Sequence, residues 1–263
     1  MTNEHKKFLQ MVKKKNAEVR LAQIGILVAF VGIWELAART ELIDTFITSS
    51  PTRIVNTIVM LFESGQLFEH MGITLLEACL GFVIATMLGS IIAIVLWWSQ
   101  TLRRILDPYV VVLNSLPKIA LGPLIIIWIG AGLQSIVMIC VLILIIITVI
   151  SMLNAFLECD RDKIQLMKSM GANKWQILTK LVLPSSIPAF ISVLKINVGM
   201  SWVGVIIGEY LVSRAGLGYL IVYGSAVFKL DLVMTSTILL CILAGGMYLL
   251  VAWFEAWVKK RRK

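Results

Sequence analysis

The stretch SIVMICVLILIIITVISMLNAFL, Ser135–Leu157, decides the class of fold. Between Ile136 and Ile150 only Thr148 carries a polar side chain. A helix rises roughly 1.5 Å per residue, so about 20 apolar residues cross a hydrocarbon core about 30 Å thick. The run does not alternate as a barrel strand would. Five other stretches read the same way: Leu21–Ala38, Gly72–Trp98, Asp107–Gly130, Pro188–Val212 and Leu232–Val258. Composition agrees, with 59% hydrophobic and 15% charged residues and a mean hydropathy of +0.92. Soluble, disordered and disulfide-stapled classes are excluded. The fold expected is an all-α integral membrane protein of six transmembrane helices.

The net charge of +9 is mostly an orientation signal. Most of the 24 basic residues fall in four places: an N-terminal tail over 1–20, the loop after the second span (Arg103, Arg104), the loop over 158–187, and a C-terminal tail over 259–263. An even number of spans puts all four on one side, which the positive-inside rule makes the cytosol. Both termini are expected there, in the plasma (inner) membrane, with no role for nucleic acid. The first span ends at Leu36–Arg39, a poor small-residue cleavage site, so it reads as an uncleaved span rather than a signal peptide. Cys79, Cys140 and Cys241 lie in spans and Cys159 in a cytosolic loop; all four read as buried small hydrophobes rather than as disulfides.

No phosphate loop, dinucleotide fingerprint, paired-histidine zinc motif or C-x-x-C occurs. The two histidines, His5 and His70, read as tail and outer-loop residues. No catalytic, cofactor or metal site is expected. If nucleotide hydrolysis drives this chain, a partner performs it.

The loop between the fourth and fifth spans is patterned. Asp160 and Asp162 suit a helix start. Ile164–Met170 reads as a short amphipathic helix, and Gly171 falls where a left-handed cap residue is wanted. Asn173 can cap a second helix, Lys174–Val182, expected to stop at Pro184. A plain solvated linker would not need Ile164, Leu166, Met167, Ile177 and Leu178, so they read as a docking surface for a cytosolic partner.

The stretch QLMKSMGANKWQILTKLVLP, Gln165–Pro184, resembles the cytosolic loop of ABC importer permeases, whose pattern is E-A-A, three residues, Gly, nine residues, Ile, one residue, Leu-Pro. Gly171, Ala172, Leu183 and Pro184 match in place. Leu181 stands at the Ile position, and Gln165, Leu166 and Met167 replace Glu-Ala-Ala, with Lys168 following. The resemblance covers about 50–258 and is closest to the nitrate/sulfonate/taurine branch. It rests further on Ser50-Pro51, Thr74-Leu75, Gly81-Phe82, Leu106-Asp107-Pro108, Leu116-Pro117, Pro123-Leu124, Trp128, Glu209 and Gly216–Leu220. It implies a type I importer: two permease copies forming a homodimer, two ATPase subunits that hold ATP and Mg, and an extracytoplasmic solute-binding protein. The loop would then fit a groove on the ATPase. The solute would be of the nitrate, sulfonate or taurine type, or a vitamin or pyrimidine precursor. A stand-alone secondary carrier is the rival class.

A charge within the bilayer needs an account. Lys118 lies between Pro117 and Pro123. Either this broken helix lines the path and Lys118 attracts an anion, or the helix is merely kinked and Lys118 snorkels or faces a carboxylate. Lys195 is expected to snorkel. Glu209 is a candidate gate or contact for the binding protein. Glu77 is expected to pair with a basic side chain. Gly199, Gly204 and Gly208 suit tight helix packing. Trp97, Trp98, Trp253 and Trp257 read as interfacial anchors, and Glu255–Lys259 as an ordinary i,i+4 pair.

Overall fold

In the computed structural model, which describes residues 3–261, the chain is helical, and the described residues contain no strand. Met1, Thr2, Arg262 and Lys263, the ends of the two expected basic tails, lie outside the described residues. The elements are α1 (Asn3–Arg39), α2 (Thr45–Thr48), α3 (Pro51–Glu63), α4 (Gln66–Trp98), α5 (Gln100–Ser115), a 3-10 turn (Lys118–Leu121), α6 (Gly122–Ile129), α7 (Leu133–Leu157), α8 (Arg161–Ser169), α9 (Lys174–Ile177), a π-helical turn (Leu178–Val182), α10 (Leu183–Val212), α11 (Leu217–Ala226) and α12 (Leu230–Arg261). Five stretches are long and apolar enough to cross a membrane, and α5 with residues 118–129 makes a sixth, bent by 85°.

The core is α7 packed between α4 and α10. Small residues allow this closeness. A Cβ on Gly204 would meet the Cα of Cys140 at 2.8 Å, and one on Gly208 would meet Ile136 Cγ2 at 2.8 Å. From the other side, a Cβ on Gly89 would meet Thr148 Cβ at 2.7 Å. Gly199 has no such neighbour within the described chain. A polar clasp crosses the same three helices. Asn197 Nδ2 on α10 donates to Thr86 Oγ1 on α4 at 3.0 Å and to Thr148 Oγ1 on α7 at 2.9 Å. Thr148, the lone polar side chain between Ile136 and Ile150, is fully buried and engaged. In contrast, α1 stands almost clear of the bundle and touches chiefly α3. There Glu35 accepts from Thr52 Oγ1 at 2.7 Å and pairs with Arg39 at 2.8 Å.

Several boundaries differ from expectation for local reasons. The anticipated loop holding Arg103 and Arg104 shrinks to Ser99, whose hydroxyl accepts from Leu102 N at 3.2 Å, so both arginines lie on α5. The third span is two helices meeting at a corner. Leu116, preceding Pro117, is driven to extended backbone (φ −63°, ψ 137°), and Gly122-Pro123 starts the next helix. Pro184 does not stop the second loop helix. The π-helical turn over 178–182 widens the ladder ahead of it, and the chain runs helically from Lys174 to Val212. His70 is not in a loop but buried on α4. Cys79 and Cys241 lie on the bundle's outside; only Cys140 and Cys159 are buried, and all four are free thiols.

The bundle has two ends. One carries α8 and α9 and is called the loop end. The other carries α2, α3 and α11 and is called the far end; there Arg53 of α3 pairs with Asp231 of α12 at 2.9 Å.

Candidate functional site

At the loop end the sequence caps nearly every turn. Asp160 Oδ1 accepts from Asp162 N at 3.0 Å and opens α8. The helix closes in a Schellman motif: Ala172 N donates to Met167 O at 2.9 Å and Gly171 N to Lys168 O at 3.0 Å. Gly171 adopts φ +81°, a left-handed conformation that other L residues occupy only at a cost. Asn173 and Gln176 then form a reciprocal capping box at 2.8 and 2.9 Å. The pair of short helices is also tied to the bundle. Lys174 Nζ bonds Trp98 O and lies 5.3 Å from that indole's centroid, and the Trp98 and Trp175 rings are 6.3 Å apart.

The apolar residues of the loop divide into two faces. Ile177 and Leu178 are buried with Met152 and Phe156, and Ile164, Met167, Ala172, Leu181 and Leu183 pack against that cluster. Four of the five residues first read as a docking surface, Ile164, Met167, Ile177 and Leu178, are therefore used by the chain's own fold. What remains outward is Leu166 (60% exposed), Met170 (78%) and Trp175 (61%). Gln165, Lys168 and Gly171 share this exposure. Pro184 faces the other way, into a pocket of about 300 Å³ with Ser90, Phe156 and Phe190. Met170 and Trp175 were not singled out in the sequence, although Met170 adjoins Gly171 and Trp175 follows it by four residues.

At the far end, side chains from two spans meet the amino end of α11. Gly216 N donates to His70 Nδ1 at 2.9 Å and Leu217 N to Thr74 Oγ1 at 2.8 Å. Gly218 N and Tyr219 N both donate to Glu209 Oε2, at 2.5 and 3.2 Å. The first turn of a helix has free N–H groups, and here three side chains from α4 and α10 take them. Gly216 has φ +114°, and any Cβ there would collide with the Glu209 carboxylate. Glu209 is 1% exposed and Glu77 2%. Glu77 has no basic partner among the described residues; its carboxyl instead lies within hydrogen-bonding reach of Glu209's. That overturns the expected ion pair. The pattern was available in the sequence, since His70, Thr74 and Glu77 fall at i, i+4 and i+7 of an otherwise apolar helix.

The other membrane charges are settled locally. Lys118 is half-buried, and its Nζ donates to Asn114 O at 2.9 Å, so it caps the carboxyl end of α5, where a cation is favoured. No hydrogen bond or ion pair joins it to Glu209 among the described residues, and Pro117 and Pro123 are exposed beside it. Lys195, expected to snorkel, has a carboxylate partner on another span. It pairs with Glu255 of α12 and lies 5.9 Å from the Tyr248 ring centroid, while Glu255 also pairs with Lys259 at 2.8 Å.

Comparison with known proteins places this architecture. Residues 85–263 match the family described as binding-protein-dependent transport system inner membrane component. The formylaminopyrimidine transport permease protein ThiX of Halalkalibacterium halodurans is 30% identical over 71% of this chain and 74% of its own length. A putative aliphatic sulfonates transport permease protein, SsuC of Bacillus subtilis, is 27% identical over 81% of this chain and 78% of its own. Among solved structures, a bacterial ABC transporter that imports the acidic polysaccharide alginate has a chain that superposes with a TM-score of 0.67. That match has 14% identity and covers 95% of this chain and 99% of that one, so it speaks for the fold alone.

Proposed function

Since the chain belongs to the binding-protein-dependent transport system inner membrane component family, we propose that it is the membrane-spanning subunit of an ATP-driven importer, coupled to a separate ATPase through α8 and α9. The observation that carries this is the outward face of Leu166, Met170 and Trp175. These large apolar residues sit on a loop whose backbone is fixed by caps and whose inner face is packed into the bundle. Exposed apolar groups on a rigid, polar-rimmed surface mark a protein contact. A loop anchored this way passes a push from its partner to α4, α7 and α10 rather than absorbing it.

In this account the loop end faces the cytosol, because the basic residues gather there. The permease domain spans residues 21–258, with basic tails over 1–20 and 259–263. Two copies form the complex with two ATPases and an external solute-binding protein. ATP and Mg sit on the ATPases, and this chain holds no nucleotide. Pro117, Lys118, Pro123 and Glu209 are candidates for the pathway or its gate, with Lys118 acting on solute only if its bond to Asn114 opens.

The solute is a small sulfonate such as taurine, or nitrate. A pyrimidine precursor is the second reading, favoured by the 30% identity to the formylaminopyrimidine permease. The test is to purify the tagged chain in mild detergent and identify every co-purifying protein. Recovery of a phosphate-loop ATPase and a binding protein is expected. Melting of that binding protein with taurine, an alkanesulfonate, nitrate or formylaminopyrimidine then decides the solute. Recovery of the chain alone, under conditions that hold a known importer together, would favour a stand-alone carrier.

A further inference from the structure

The far-end cluster contains more carboxylate than its surroundings can neutralise. Glu77 and Glu209 are both almost wholly buried, and their carboxyls are within hydrogen-bonding reach. One oxygen of each, Glu77 Oε2 and Glu209 Oε1, is buried without a hydrogen-bond partner. Neither group forms an ion pair among the described residues. Two like charges at such a distance in a low-dielectric site cannot both persist. The two residues are also unequal. Glu209 Oε2 receives two backbone N–H bonds at the amino end of α11, where a negative charge is favoured. Glu77 receives none of these.

We propose that Glu77 and Glu209 hold one proton between them, with Glu77 the donor and Glu209 the anion that caps α11. Thr74 also reaches the Glu209 carboxylate, whereas nothing else among the described residues donates to Glu77; the proton supplies a donor between the two carboxyls and makes the pair a hydrogen-bonded joint between α4, α10 and the α11 turn. Glu77 lines a far-end cleft of about 520 Å³ with Gly132, Ile136, Ser213 and Arg214, which gives the proton a route to water. The titratable neighbours are His70 on α4, Cys140 on α7, Tyr210 on α10, Tyr219 on α11 and Arg214 in the connecting turn. Arg214 shares the cleft but pairs with neither carboxyl.

The test is infrared spectroscopy of the purified full chain at neutral pH, in light and heavy water, with Glu77→Gln beside the wild type. Glutamine keeps the shape and a donor, so that variant is expected to melt where the wild type does. The wild type should show the C=O stretch of a protonated carboxylic acid, shifted in heavy water, and Glu77→Gln should lose it. Folded wild type would also bind a proton that the unfolded chain releases, so its melting temperature should fall as pH rises, more steeply than the variant's. The comparison with Glu77→Gln cancels the other titrating neighbours. No acid band in the wild type, a band that survives Glu77→Gln, or equal pH slopes would overturn the proposal. A band present in choline chloride but missing in sodium chloride would overturn it too, by putting a metal cation in the proton's place. If Glu77→Gln does not accumulate, labelling of the wild type with glutamate carrying 13C at the side-chain carboxyl carbon decides: a band that fails to shift does not come from a glutamate, and the proposal falls.

Discussion

The loop end and the far end solve the same problem, a helix start that must be held still, by opposite means. At the loop end, Asp160, Gly171, Asn173 and Gln176 satisfy backbone groups within a few residues of themselves, and apolar packing does the rest. At the far end, α11 starts with no local side-chain cap and depends on His70 and Thr74 from α4 and on Glu209 from α10. The first arrangement leaves a large apolar face free for a partner. The second buries its polar groups and uses them up in binding the spans to one another. A locally capped element can be pushed as a unit, whereas a remotely capped one moves only when the spans that hold it move.

This contrast yields a graded series. Glu209→Ala should have the largest effect on stability, because it strands the N–H groups of Gly218 and Tyr219 and leaves Glu77 alone. At roughly 1–3 kcal/mol for each unsatisfied group, a loss of about 3 kcal/mol is expected, read as a marked fall in melting temperature in detergent. A fall no greater than that of an α1 surface variant would mean that α11 is held by something else. Asn197→Ala removes two interhelical bonds. These average about 0.6 kcal/mol each within membranes, so a loss of about 1–2 kcal/mol should follow. Gly171→Val forces a branched residue into φ +81° at about 1–2 kcal/mol. The chain should still reach the membrane, but it should fail to retain the ATPase and to support uptake. Unchanged uptake in that variant would remove the coupling role of the loop. Trp175→Ala gives up the contact with the Trp98 ring, so it should cost about 0.5–1 kcal/mol and still weaken ATPase capture. Along the series the cost in stability shrinks as the cost in coupling grows, if the two ends differ as described.

Legibility from the sequence followed the same division. The membrane class, six spans, the helix–Gly–helix loop and its caps were readable because each depends on contiguous residues: the apolar run Ile136–Ile150, or Gly171 two residues ahead of Asn173. What was not legible depends on residues far apart in the chain. Lys195 meets Glu255 sixty residues on, and Asn197 reaches Thr86 and Thr148. Glu77 was assigned a basic partner because charge pairing is the cheapest way to bury a carboxylate, but its neighbour is another carboxyl. The inward face of the loop reads as a docking surface in the sequence because amphipathicity says that a face is covered without saying by what. Pro184 reads as a stop in the sequence, since the π-helical turn ahead of it leaves no mark in the pattern of apolar residues.

The face of Leu166, Met170 and Trp175 is the proposed seat of the ATPase. The most direct measurement is co-purification of the ATPase with the chain in mild detergent, comparing the wild type with a triple Leu166→Ala, Met170→Ala, Trp175→Ala variant whose melting temperature is recorded alongside. A melting temperature lowered by no more than about 2–4 °C and at least a tenfold loss of captured ATPase are expected, since about 1.4 kcal/mol of contact suffices for that factor. A variant of that stability that captures as much ATPase as the wild type would show that the ATPase docks elsewhere.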